Sequence, residues 1–255
     1  MIKTVTLHET NRVGTTAAKY GATLIRHALA DRGEAAIVIG AGPTQFEMLR
    51  ALARESGIDW QQVTVFGIAA MLGLAPTHPA GASRELHEHF INRLPTPLKA
   101  LHLIDAVAPD ADAEAERMSR LIDVATIDVA FLGIGDNGRI GFNEPPADFE
   151  ANEAYQVVPL DEGFRHRQQI NHGRFAAALG YVPERAITMT LSKTLAARHL
   201  VFTVIGESKA QAVDDTLHGP ITPDVPASLL RTHPRGTMFL DDAAASLLRS
   251  MQQAS

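Results

Sequence analysis

The segment Gly133-Ile134-Gly135-Asp136-Asn137-Gly138-Arg139-Ile140-Gly141-Phe142-Asn143-Glu144-Pro145 places three glycines in its first six residues and sets acid, amide and guanidinium groups among them. Glycines let a backbone approach a ligand closely, and the polar groups between them would converge where a preceding strand ends. This is the strongest functional signal in the chain. From spacing alone it also reads as a Gly/Asn turn that reverses the chain. A second segment, Gly40-Ala41-Gly42-Pro43-Thr44, leaves an apolar run and enters a helical pattern. That arrangement turns backbone N–H groups and a helix dipole onto an anion, with phosphate the natural guest. Glycine turns of this kind also join strands to helices for steric reasons alone.

Both segments need strands to carry them. Apolar runs of strand length recur at Ala36–Gly40, Val63–Phe66, Ala100–Ile104, Asp128–Gly133, Ala186–Thr190, Leu200–Ile205 and Thr237–Leu240. Helical patterns lie between most of them, at Thr15–Asp31, Thr44–Glu55, Ala111–Val124 and Ser208–Leu217. Runs apolar throughout, such as Val129-Ala130-Phe131-Leu132, fit strands covered on both faces, so the order predicts an α/β fold with a mainly parallel sheet. Ligands of such sheets bind beyond the carboxyl ends of the strands, which directs attention to the loops after Gly40, Phe66 and Gly133. The stretch Glu144–Asp161 reads as irregular, either a lid or plain surface chain.

The 255 residues, 45% of them hydrophobic, suffice for one large domain, and the chain is read as a single one over 1–255. A net charge of -6 argues against a sequence-independent grip on nucleic acid, since that needs a basic stripe. An anionic small molecule would still bind at a local positive site. With no Cys there is no thiolate chemistry and no thiolate metal site, and no metal or cofactor is expected. No apolar stretch is long enough for a membrane span and no secretory leader is evident, so a cytoplasmic location is expected. The oligomeric state is left open, a homo-oligomer included.

Gly133–Pro145 resembles the glucosamine-6-phosphate deaminase signature G-I-G-x-D-G-H-I-A-F-N-E-P, and the likeness runs along most of the chain. Ala41-Gly42-Pro43-Thr44 with Leu49-Arg50-Ala51-Leu52 is similar to the family's phosphate loop T-G-S-T-P-L-G-x-Y-R-A-L; Gly42 and Thr44 match it, Pro43 and Gln45 do not. Pro43 has no N–H, which removes one phosphate donor of that loop. Gly206-Glu207-Ser208-Lys209-Ala210 resembles G-S-Q-K-A, whose lysine contacts the substrate phosphate, and Arg174 resembles a second phosphate-binding cation. Ala227–Pro234 fits the pattern A-S-x-L-x-x-H-P. The resemblance implies a Rossmann-like three-layer α/β/α sandwich that binds a sugar phosphate through Gly42, Thr44, Arg174 and Lys209. It also puts Glu144, Asn137 and Arg139 at catalytic positions.

The departures fall on the chemistry. The family's F-N-M-D-E-Y-x-G-L loop, whose acid removes the proton beside the carbonyl, corresponds to Phe66-Gly67-Ile68-Ala69-Ala70-Met71-Leu72-Gly73-Leu74. Ala69 and Ala70 stand where the acidic pair would be. The signature's aspartate falls on Asn137 and its ring-opening histidine on Arg139, a neutral amide and a permanent cation that cannot replace an acid/base pair. Weak or absent deaminase activity is therefore expected. One alternative is an inactive sugar-phosphate receptor or pseudoenzyme. Another is a hydrolase like the related 6-phosphogluconolactonases, which also expect a histidine at position 139. Arg139 offers a planar fork for a carboxylate or second phosphate, or else a surface ion pair. Asp136 lies one residue out of register for the missing acid, and His78, His87 and His89 are read as exposed or helix-capping.

Overall fold

The computed structural model describes residues 2–171 and 182–248. In chain order these form β1 (Lys3–Leu7), α1 (Thr10–Arg32), β2 (Ala35–Ile39), α2 (Phe46–Arg54), β3 (Val63–Gly67), β4 (Ala69–Met71), α3 (Ala82–His89), β5 (Ala100–His102) and α4 (Ala111–Asp123). Then follow β6 (Val129–Leu132), β7 (Tyr155–Pro159), α5 (Glu162–Asn171), β8 (Arg185–Met189), α6 (Leu191–Leu195), β9 (His199–Val204), α7 (Ala210–His218) and β10 (Gly236–Asp241). Seven strands form a sheet in the order β1-β10-β9-β6-β2-β3-β5, every neighbouring pair parallel.

Alternation along the central strands explains why both faces of this sheet are covered. Ala36, Val38, Ala130, Leu132, Leu200 and Phe202 point into one apolar core, together with Met118 and Ile122 of α4 and Val213 of α7. Their neighbours Ile37, Ile39, Val129, Phe131 and Val201 point into the other, with Val13, Ala17 and Ile25 of α1 and Met48 and Leu52 of α2. A strand apolar at every position has two faces to bury, and helices on both sides supply the partners. The result is the expected α/β/α sandwich. No helix among the described residues is long and apolar enough to cross a membrane.

Three expectations need correction. Ala186–Thr190 was read as one of the series of parallel strands, but β8 belongs to a separate antiparallel sheet, β4-β8-β7. An apolar run reports burial, and pairing direction comes from the neighbours it finds. The stretch 144–161 contains β7, so only its first part is irregular. Finally, the strand at Ala36 is not the first. β1 precedes it on the sheet edge beside β10, its Lys3-Thr-Val-Thr-Leu sequence too polar and exposed to stand out as an apolar run.

Candidate active site

The carboxyl ends of β2, β3, β6 and β9 surround a cavity of about 440 Å³. Two glycine turns of matching shape form part of its wall. Beyond β2, Gly42 (φ 134°, ψ 154°) enters a 3-10 turn at Pro43–Gln45 that continues as α2. Beyond β9, Gly206 (φ 98°, ψ 151°) enters the turn Glu207–Lys209 that continues as α7. A side chain at either glycine would be strained by that φ. The Gly206 N–H donates to both carboxylate oxygens of Asp241 on β10, at 3.1 and 3.2 Å. Gln45, one of the mismatches in the phosphate loop, is buried and donates from Nε2 to the Thr203 carbonyl at 3.0 Å, tying the first turn to the strand that bears the second.

Thr44, Ser208 and Lys209 line the cavity between these turns. Lys209 Nζ is ion-paired with Asp136, whose Oδ1 also accepts from Ser208 Oγ at 3.0 Å. The lysine expected to hold a phosphate thus already holds an anion, supplied by the chain. Asp136 serves this position and not that of the missing acid. Arg174 lies outside the described residues.

The loop after β6 is held by its own backbone and by β8. Gly138 N–H donates to Gly135 O and Gly135 N–H to Arg139 O, at 3.0 and 2.9 Å. Buried Asn143 donates to the carbonyls of Ile140 (2.8 Å) and Met189 (2.9 Å), and Phe142 N–H donates to Thr188 Oγ1 at 3.1 Å. This framework brings together the three residues expected at catalytic positions. Asn137 Nδ2 donates to Glu144 Oε2 at 2.7 Å, and Arg139 Nε lies 3.1 Å from Glu144 Oε1 in an ion pair without the alignment of a hydrogen bond. Arg139 Nη1 donates to Gly141 O at 2.5 Å, and its guanidinium sits 4.5 Å from the Phe164 ring centre and 5.5 Å from that of Phe142. The expected free fork is therefore an internal one. With side chains only 21% and 10% exposed, Arg139 and Glu144 are a largely buried pair and not a surface one.

On the opposite side, β3 passes through Ile68 into β4, and Ala69 and Ala70 line the cavity. Tyr155 anchors this crossing by donating to Gly67 O at 2.8 Å; burial pushes its phenol far above the ordinary range, so it stays neutral. Next in the chain, α3 brings buried Glu85 to the same wall, beside Ala80 and Ala82. Sequence reading missed Glu85, Gln45, Ser208 and Phe164. The three histidines nearby do not line the cavity. His78 Nδ1 accepts from Ala80 N–H, His87 Nδ1 donates to Ser83 O, and His89 stacks on Phe46 at 3.8 Å while accepting from Arg50. His78, in the turn before α3, and His89, the last residue of α3 and stacked on Phe46, are buried where an exposed or capping role was expected. Among the described residues no group of three His, Asp or Glu is placed to hold a metal ion.

A family model described as glucosamine-6-phosphate isomerases/6-phosphogluconolactonase matches residues 8–161. A glucosamine-6-phosphate deaminase of Exiguobacterium sp. is 34% identical over 91% of this chain and 88% of its own length. Glucosamine-6-phosphate deaminase 2 of Bacillus subtilis is 33% identical over 91% and 93%. The solved structure of a monomeric glucosamine-6-phosphate deaminase superposes with a TM-score of 0.86 at 28% identity, covering 96% of this chain and all of that one. A 6-phosphogluconolactonase from Thermotoga maritima shares the fold, with a TM-score of 0.78 at 14% identity over 94% of this chain and all of its own.

Proposed function

The chain belongs to the glucosamine-6-phosphate isomerase/6-phosphogluconolactonase family, and from that premise we propose that it binds a phosphorylated amino sugar in the strand-end cavity, acting as one domain over 1–255. The phosphate takes the place of the Asp136 carboxylate on Lys209 and Ser208, with Thr44 and the Gly42 backbone on its other side. The observation that carries this reading is the occupied cation itself: Lys209 and Ser208 converge on one carboxylate oxygen beside a glycine turn at a helix start. Two donors already aimed at an anion are what a phosphate needs.

Isomerisation with deamination would require a proton to leave the carbon beside the carbonyl. Ala69 and Ala70 offer no group for that step, and Arg139 is a permanent cation engaged by Glu144 and the Gly141 carbonyl. The family's acid/base route through these positions is closed, which supports recognition of the sugar phosphate more strongly than its turnover by that route.

The test is thermal stabilisation of the protein by glucosamine-6-phosphate and fructose-6-phosphate, with unphosphorylated glucosamine as control. Both phosphates should raise Tm, the control should not, and Lys209→Ala should abolish the shift while leaving the unliganded Tm within a few degrees. No stabilisation of the unaltered protein by either phosphate would sink the proposal. Ammonia release from glucosamine-6-phosphate, measured alongside, separates an enzyme from a receptor.

A further inference from the structure

The cavity changes in charge from one end to the other. At one end Lys209 and Ser208 converge on the Asp136 carboxylate, in the place proposed for a phosphate. At the other, Arg139 lines the cavity, whereas its neighbours Asn137 and Glu144 do not. Glu144 Oε1 is fully buried beside Arg139 Nε, and Glu144 Oε2 accepts from Asn137. Of the three residues at catalytic positions, the cavity thus meets the cation and not the acid. That cation adjoins the strand from which the family's acid is missing. Arg139 Nη1 donates to Gly141 O at 2.5 Å, and a Cβ placed on Gly141 would lie 3.7 Å from that of Ala69.

Apart from Arg139, this end is largely apolar. The guanidinium lies 4.5 and 5.5 Å from the ring centres of Phe164 and Phe142. Met71 packs in the same apolar cluster as these two rings and also against the cluster that contains Ala80. All of these residues line the cavity, with Ala69 and Ala70. The carboxylates at or behind its wall among the described residues are already held: Asp136 by Lys209 and Ser208, Glu144 by Asn137 and Arg139, and Glu85 on α3 has a partner too.

The Lys209 turn follows β9 and the Ala69 strand follows β3, with β6 and β2 lying between. Three strand spacings make about 14 Å. A hexose phosphate held by its phosphate at Lys209 and extended along the strand ends brings its first two carbons toward Arg139 and Ala69. In an amino sugar the second of these carbons bears the amine, an ammonium at neutral pH. Facing a guanidinium, with no carboxylate released to receive it, that ammonium is repelled and loses water without compensation. Acylation removes the charge, offers a carbonyl oxygen to the cation and adds a methyl group for the apolar wall. Resting on the reading that the cavity takes a sugar phosphate, we infer that its ligand is an N-acylated amino-sugar phosphate, selected over the free amine by Arg139 and Ala69.

Calorimetric titration with N-acetylglucosamine-6-phosphate, glucosamine-6-phosphate and glucose-6-phosphate tests this on the unaltered protein. The N-acetyl sugar should bind at least about tenfold more tightly than the free amine. It should also bind more tightly than glucose-6-phosphate, which is neutral at the second carbon but brings no methyl group. From pH 7 to pH 9.5 the ammonium loses its proton, so the ratio of the Kd of glucosamine-6-phosphate to that of its N-acetyl form should fall at least about threefold. Ala69→Asp, which sets a carboxylate beside Arg139, should bring the same two Kd values together; the pH series serves if that variant does not fold. Glucosamine-6-phosphate or glucose-6-phosphate binding as tightly as the N-acetyl sugar, or a ratio unmoved by pH or by Ala69→Asp, overturns the inference and leaves sugar-phosphate recognition standing. Absence of binding by all three overturns both.

Discussion

Replacing Asp136 with asparagine should tighten binding of phosphate ligands, and the structure sets the size of the effect. A phosphate reaching Lys209 must first break the ion pair with Asp136, whose side chains are 17% and 43% exposed. A partly exposed pair of this kind is worth about 0.5–1 kcal/mol. The displaced carboxylate then stays near a phosphate with close to two negative charges; at ~5 Å in a water-like dielectric that repulsion is about 1.5 kcal/mol. Allowing for movement of Asp136 away from the newcomer, the two contributions together give about 1–2 kcal/mol, a gain of about 5- to 30-fold in affinity. Calorimetric titration of Asp136→Asn with glucosamine-6-phosphate, at low and at physiological salt, reads this directly. The gain should shrink as salt rises. Affinity equal to or below that of the unaltered protein would refute the reasoning, since Asp136 would then be positioning Lys209 for the ligand and not occupying the ligand's place.

Two further expectations concern the rest of the molecule. Arg139→Met strands the buried Glu144 carboxylate with Asn137 alone, which should cost about 2 kcal/mol and lower Tm by about 4–8 °C; adding Glu144→Gln should recover part of the loss, and a Tm change under 1 °C in the single variant would contradict the pairing. Burial holds His78, His102 and His199 below the ordinary imidazole value near 6.5, helped by Arg84 for His78, by Arg117 for His102 and chiefly by Arg235 for His199. Their stabilising contribution is complete above about pH 6.5 and fades below it, because the unfolded chain then takes up protons that the folded one resists. The urea midpoint should therefore be lower at pH 5.5 than at pH 7.5, and an equal or higher midpoint at pH 5.5 would count against this.

Much of this arrangement was legible in the residues. An apolar run, a glycine turn and a helical pattern mark the unit at 36–54, and the strand-end location of the cavity follows from parallel pairing alone. Glu144, Asn137 and Arg139 were read as one cluster and do meet. What they do to one another was not legible, because it depends on how the loop folds back: the Arg139 fork expected to face a ligand is taken by Glu144 and Gly141 O. Gln45 was noted only as a mismatch, since its partner Thr203 is far along the chain. Glu85 sits in a short helix whose buried face is Glu85, Leu86 and His89, and with two of those three polar no apolar stripe marks that face in the sequence. The parallel and antiparallel sheets were merged for a similar reason, as the apolar character of β8 says nothing of the direction of its neighbours.

The place of β1 has a bearing on how the protein comes to be folded. Its hydrogen-bonded neighbour in the sheet is β10, with Lys3 opposite Thr237, so β1 is made long before the strand it pairs with. Sheet growth can proceed from β2, β3 and β6 during synthesis, but that edge closes only once β10 is available, by a contact of very long loop closure. The polar, alternating Lys3-Thr-Val-Thr-Leu sequence is well suited to that interval. A strand that must stay unpaired while the rest of the chain emerges is safer with charge and hydroxyls than with the unbroken apolar run of its inner neighbours.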